Sequence, residues 1–311
     1  MMNSEWLISF LASTVRLSIP ILLAGLGGVF TSRSGITNIG IEGTMLFGTL
    51  AGVLGSYYFS NPTMGAFFAV MIGGIIGILF AYLVVSIGAD QIIMGMAINL
   101  LALGLTTTVF RTIFGVSTMP PKVEMFNVVK IPIFGDIPYL GYAFFQHSPL
   151  VYLSYALVPV SSYLLFKTVI GLRIRSVGEN PKATDTVGID VVKIRYGTCI
   201  VGGMLAGLAG AYISISQLNM FTENMTAGKG FVALAAIIFG KWSPVGVLFA
   251  ALLFGAGDAL QLRFQLQSTG IPYQFLLALP YILTVFVLAG FGTKAIPPAS
   301  TGKAYKREQV I

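Results

Sequence analysis

The chain has 311 residues, 56% of them hydrophobic and 9% charged, with a mean hydropathy of +0.87. A soluble domain carries roughly 25% charged residues, so this composition excludes a water-facing globule and predicts an all-α, polytopic transmembrane helical bundle. The formal net charge of +7 collects mainly in two segments, 171–195 and the tail 293–311 with Lys294, Lys303, Lys306 and Arg307, which is the positive-inside pattern rather than a nucleic-acid surface.

A span needs about 20 apolar residues. In chain order the first candidate is 6–30, made irregular by Arg16 and Pro20. Its start, MMNSEWLISFLASTVR, lacks a basic n-region and does not read as a signal peptide. The second candidate, 39–58, opens on Thr37-Asn38-Ile39-Gly40-Ile41-Glu42-Gly43, and 64–87 follows. The span 91–114 is preceded by Asp90, which suits an N-cap, and holds Asn99 about two turns in. The segment 115–148 carries Pro120, Pro121, Pro132 and Pro138 and leads to Pro149. It is long for a loop and is expected to be either a functional lid or docking surface, or an ordered cap over the helix ends.

After the span 149–170 comes the basic, polar island GLRIRSVGENPKATDTVGIDVVKIR. Within it Asn180 suits an N-cap, Pro181 the first helical position and Gly188 the C′ stop, so a short capped helix is predicted between two spans. The span 196–216 holds the single cysteine, Cys199; no disulfide framework is possible within the chain. The run 229–260 is interrupted at Lys241-Trp242-Ser243-Pro244, and Gly230 to Phe239 alone would rise only about 15 Å. If both basic segments share the cytoplasmic side, the chain must cross an odd number of times between 217 and the tail. Two short helices broken at Lys241–Pro244 plus a span at 271–291 satisfy that; one long helix does not. The expectation is therefore a single domain over 1–311 with about 8–9 spans, a broken or short-helix region near 229–260, a cytoplasmic island and tail, an extracytoplasmic 115–148, and the N-terminus outside.

Few residues offer chemistry. There is no GxxxxGK[ST] loop, since Gly240-Lys241 runs into Trp242 and Gly302-Lys303 into Ala304. The lone histidine, His147, has no Cys or His cluster around it, and no metal site or catalytic residue is expected. Glu42 at mid-depth would cost roughly 2.5–3.5 kcal/mol on insertion scales, so it should be paired, with Arg16 or Arg33, or line a wet path. Alternatively Asn38 is an N-cap and Glu42 sits at the interface, favouring the helix dipole. Gly73/Gly77 and Gly203/Gly207 are small-xxx-small spacings that suit helix packing.

The blocks SRSGITNIGIEGTMLFGTLAG, ADQIIMGMAINLLALGLTTTVFR, GLRIRSVGENPKATDTVGIDV and GKGFVALAAIIFGKWSPVG resemble the corresponding parts of bacterial ABC-importer permeases. The family is the branched-chain amino acid and simple-sugar permease superfamily, and the nearest branch is the shorter subunit of the nucleoside (guanosine-type) permeases. The resemblance implies a type II ABC-importer-like fold in the bacterial cytoplasmic membrane. It implies a second homologous permease, a separate and tandem-fused ABC ATPase that binds ATP and Mg, and a substrate-binding lipoprotein or periplasmic binding protein; no cofactor is implied in this chain. The island then matches the coupling loop, with Gly178, Glu179, Asn180, Pro181, Ala183 and Gly188 forming the motif and Arg173 and Arg175 flanking it. Asn38, Glu42 and Asn99 are the candidates for the substrate path. Ribose- or galactose-type sugars and branched-chain amino acids are the alternative substrates, and a stand-alone ion-coupled carrier using Glu42 or Asp90 is the alternative mechanism.

Overall fold

A computed structural model describes residues 4–115, 120–132, 135, 137, 140–266, 275 and 296–305. The helices are α1 (Ser4–Arg33), α2 (Ile41–Phe59), α3 (Pro62–Ala81), α4 (Gln91–Phe114), α5 (Leu140–Phe144), α6 (Pro149–Lys167), α7 (Val169–Glu179), α8 (Pro181–Thr186), α9 (Val191–Tyr212), α10 (Lys229–Phe239) and α11 (Pro244–Leu266). Helices α3 and α9 each run on into a π-helical turn, Tyr82–Ser86 and Ile213–Gln217. The strand content among the described residues is one antiparallel pair, β1 (Val129–Lys130) with β2 (Gln146–His147). The all-α expectation holds.

Among the described residues six helices are long and apolar enough to cross a membrane. The expected total of 8–9 is not confirmed. Helix α2 is absent from the six, α10 is too short, and the expected span 271–291 lies outside the described residues apart from Phe275.

Helix α2 shows what holds the bundle together. Every residue from Ile41 to Ser56 except Leu54 is buried, although its sequence is rich in glycine and hydroxyls. In lipid, helices associate through close packing rather than through hydrophobic exclusion. A side chain at Gly43 would overlap Asn99 of α4, at Gly48 the Gly207 backbone of α9, and at Gly55 Gly65 of α3. The two small-residue pairs read from the sequence meet each other. A Cβ at Gly73 would strike the Gly203 carbonyl, one at Gly77 the Cys199 carbonyl, and one at Gly207 the Ala69 carbonyl. This seam makes α3 on α9 the most extensive helix contact of the fold.

The run 229–260 is broken where expected, but only the first piece is short: α11, with 23 residues, is long enough to cross a membrane. Helix α10 stops at Phe239, Lys241 and Trp242 both take positive φ (52° each), and α11 begins at Pro244. Helix α11 lies along α1 from Val247 beside Gly25 to Arg263, which donates to the Trp6 carbonyl at 3.2 Å and to Ser9 Oγ at 2.7 Å. The described part of 115–148 caps one end of the bundle: Val123 N donates to Asn219 O at 2.9 Å, Phe126 N to Ile215 O at 3.0 Å, and Ser56 Oγ to Glu124 O at 2.6 Å. The ordered-cap alternative describes these residues.

Candidate functional site

The island folds as three helical pieces. Thr168 caps α7 through its side chain, accepting from Gly171 N at 3.2 Å. Asn180 ends α7 and caps α8, its Oδ1 accepting from Ala183 N at 3.1 Å, with Pro181 at the first helical position. Gly188 follows at φ +81°, the left-handed geometry that glycine adopts without a Cβ penalty. Asp190 then caps α9 by accepting from Lys193 N at 3.0 Å. That bond, the largest influence on the group, holds the Asp190 carboxyl below its usual range. Helix α8 is the expected short capped helix. Its Lys182, Ala183, Thr186 and Val187 face outward, Val187 with 73% exposure, while Thr184 anchors it from the buried side.

Not every residue of the motif is on that surface. Glycine 178 is buried, because a Cβ there would overlap the Arg33 carbonyl at the end of α1. Its own carbonyl accepts from Ser300 N at 3.0 Å and from Ser300 Oγ at 2.6 Å. Glu179 is exposed and accepts from Ala299 N at 3.4 Å. Arg173 is exposed; Arg175 lies over the Phe166 ring at 5.3 Å. Arg33 sits over that same ring at 5.4 Å, and its Nε donates to the Trp242 carbonyl at 2.7 Å. The island, the end of α1, the α10–α11 break and the tail thus share one basic end of the bundle. From the sequence Arg33 is a candidate partner for Glu42 and Trp242 part of the break in 229–260; their roles at this end, and Ser300 altogether, are not evident there. The bonds from Arg33 to Trp242 and from Ser300 to Gly178 span 209 and 122 positions, beyond the reach of a local pattern.

Deeper in the bundle, Asn99 and Glu42 cap two helices that are not their own. Asn99 Oδ1 accepts from Gly43 N in the first turn of α2 at 2.7 Å, and its Nδ2 donates to Ile39 O at 3.1 Å. Glu42 Oε1 accepts from Thr226 Oγ1 at 2.6 Å and Gly228 N at 2.8 Å; Oε2 accepts from Gly230 N at 2.6 Å. These are the otherwise unpaired donors at the start of α10, and a carboxylate there also meets the positive end of the helix dipole. Helix α10 has 11 residues and rises about 16 Å. Its start therefore lies roughly half a membrane thickness from the Arg33 end. Asn38 is not an N-cap for α2; its Oδ1 accepts from Gly40 N at 2.9 Å in the turn that leads in. Neither Arg16 nor Arg33 bonds Glu42. Asp90 is a cap, accepting from Ile92 N at 2.9 Å and Ile93 N at 3.0 Å.

At the opposite end, under the 115–148 cap, lies a cavity of about 500 Å³ bordered by Arg16, Phe126, Tyr142, His147, Ser216 and Gln217 among others. Among the described residues no group of three or more His, Cys, Asp or Glu could hold a metal ion.

The basic end and the interior of the bundle are thus built from capped helices and buried polar turns. Residues 10–288 match the family model described as branched-chain amino acid transport system / permease component. The chain belongs to this permease family. It is a multi-pass membrane protein and a transport component rather than an enzyme. It is 41% identical to the guanosine ABC transporter permease protein NupQ of Bacillus subtilis, over 94% of this chain and 95% of the relative. It is 37% identical to the nucleoside ABC transporter permease protein NupC of Lactococcus lactis, over 94% and 95%. A Haloferax volcanii ABC transporter permease, TsgC13, whose name assigns it to glucose only provisionally, is 34% identical over 96% and 97%. Bacillus subtilis also holds a second guanosine ABC transporter permease protein, NupP, 25% identical over 93% of this chain and 84% of the relative. No solved structure matches the chain.

Proposed function

We propose that the chain is one of two homologous permease subunits of an ATP-driven nucleoside importer in the bacterial cytoplasmic membrane. The nucleoside assignment is supported by the relatives NupQ and NupC, and the paired subunit by the similarity to both NupQ and NupP. The observation that carries the energy coupling is α8, a short capped helix with Lys182, Ala183 and Thr186 exposed and Val187 exposed just beyond it, in a chain with no phosphate loop. A separate ABC ATPase, tandem-fused, binds ATP and Mg and docks on α8. Glu179, Asn180, Pro181, Ala183 and Gly188 build that docking helix, Arg173 and Arg175 flank it, and Gly178 seats it on α1. A binding lipoprotein or periplasmic binding protein delivers substrate to the 115–148 face. With the island and tail in the cytoplasm, ATPase movement reaches α10 through Arg175, Phe166, Arg33 and the Trp242 carbonyl. Helix α10 begins against Glu42, so Asn38, Glu42 and Asn99 border the moving part of the substrate path.

The test is uptake of radiolabelled guanosine by cells lacking other nucleoside routes, competed by a panel of nucleosides, glucose, ribose and leucine. Uptake that needs the ATPase subunit and is competed by nucleosides alone supports the reading. Competition by glucose, the sugar named for TsgC13, moves the chain to the sugar branch. Uptake by vesicles holding this chain alone, collapsed by an uncoupler, replaces the ATP-driven mechanism with an ion-coupled one.

A further inference from the structure

We propose that the cavity opposite the basic end is a purine-reading site in which Arg16 selects 6-oxopurine nucleosides (guanosine and inosine) over adenosine. The proposal rests on the nucleoside reading above and deepens it.

The cavity measures about 500 Å³, within the range of about 300–1,000 Å³ typical of small-ligand sites. Its wall mixes aliphatic, aromatic and polar side chains. Phe126 and Tyr142 offer ring faces on which a flat base can stack. Ser216, whose Oγ lies 2.7 Å from Ser148 Oγ, and Gln217 supply hydroxyl and amide groups suited to a ribose.

Arg16 is the charged residue of this wall. Among the described residues it has no carboxylate partner; its guanidinium makes one contact, 3.5 Å to Ser13 Oγ. Arg16 is exposed at the cavity, so its fork of donors is open to a ligand that enters there. His147 is buried beside it, with Nε2 2.8 Å from the Ala143 carbonyl. That contact places the ring proton on Nε2 and leaves Nδ1 as an acceptor.

The discrimination follows from hydrogen-bond chemistry. Guanine and hypoxanthine present O6 and N7, two acceptors side by side, which match the arginine fork in a bidentate pair. Adenine presents an amino donor next to N7, so one arm of the fork would face a donor. An amino acid could use Arg16 for its carboxylate, but among the described residues of the cavity wall there is no Asp or Glu for the ammonium group.

The experiment is photolabelling of the complete transporter in membranes, without the binding protein, by radiolabelled 8-azidoguanosine. Competitors are guanosine, inosine, adenosine, glucose and leucine, and wild type is compared with Arg16→Gln and Arg16→Lys. Wild-type label should fall in the peptides that hold Phe126 or Tyr142 and be competed at least tenfold better by inosine than by adenosine. Glutamine pairs bidentately with the adenine edge, so Arg16→Gln should reverse the preference toward adenosine, with Arg16→Lys intermediate. A loss of reversal, with all nucleosides weakened in equal proportion, makes Arg16 a structural residue and overturns the inference. So does labelling elsewhere in the chain while guanosine uptake persists, which leaves the nucleoside reading standing. Competition by glucose or leucine with no effect of any nucleoside overturns both.

Discussion

Glu42 and Arg16 are both charges on long apolar helices, and the fold treats them in opposite ways, burying one and leaving the other exposed. Glu42 is buried and its two oxygens take three donors from the start of α10. Arg16 borders a cavity and, among the described residues, makes one long contact to a hydroxyl. A carboxylate with its donors in place has been spent on architecture. It closes a helix that begins within the bundle, which the backbone could not satisfy alone. An unspent guanidinium is free to meet whatever enters. The sign of a charge in a span and its depth say little about its role; the count of its unused hydrogen bonds says more.

The largest expected effect comes from removing the spent charge. Glu42→Ala strips acceptors from Thr226 Oγ1, Gly228 N and Gly230 N, all at the buried start of α10. Losing a charged acceptor of this kind costs about 3 kcal/mol. The expected outcome is a large fall in the unfolding midpoint of the purified subunit or in its recovery from membranes. Glu42→Gln keeps one acceptor oxygen and should lose about half as much. The matching change at the other site, Arg16→Ala, should leave the midpoint within about 0.5 kcal/mol of wild type while guanosine uptake drops. If Arg16→Ala unfolds the protein as readily as Glu42→Ala, the contrast between the two charges is gone.

A smaller effect is expected at the basic end. Asn180→Ala removes the side-chain acceptor of the Ala183 amide, a loss of about 1 kcal/mol from a helix N-cap. Because α8 is a six-residue helix, that loss frays the docking surface without unfolding the bundle. The assembled complex should hydrolyse ATP at a rate closer to wild type than its uptake rate. Uptake and hydrolysis falling in step would show that α8 is not the coupling element.

How much of this was legible in the sequence depends on how far apart the partners lie. The caps of α8 could be read because Asn180, Pro181 and Gly188 act on backbone within a few residues. The glycine seam between α3 and α9 could be read because Gly73/Gly77 and Gly203/Gly207 carry their spacing on one helix face. The break at Lys241–Pro244 showed itself as polar residues in an apolar run. Glu42 was legible as a costly residue, but its partners Thr226 and Gly230 lie 184 and 188 positions away, and the wrong arginines were chosen for it. Helix α7 was hidden because Val169–Glu179 begins two residues after α6 ends and mixes exposed Leu172 with Arg173 and Arg175. Arg16 was visible only as an irregularity, since a cavity is made by the segments that close over it.

The mildest test of the contrast is pH. Burial pushes the His147 imidazole below its ordinary value; the bond to the Ala143 carbonyl opposes this, and the nearby Arg16 charge adds to it. A histidine whose folded-state value is lowered contributes its full stability above the unfolded value of about 6.5. That stability is lost as pH falls through it, because the unfolded chain then binds the proton more readily. The unfolding midpoint should therefore decline on acidification from about pH 7 to pH 5, and His147→Asn should flatten that decline. Arg16→Gln, by removing a charge that holds the imidazole down, should make the decline smaller, whereas Glu42→Gln, with no part in the His147 environment, should leave it unchanged.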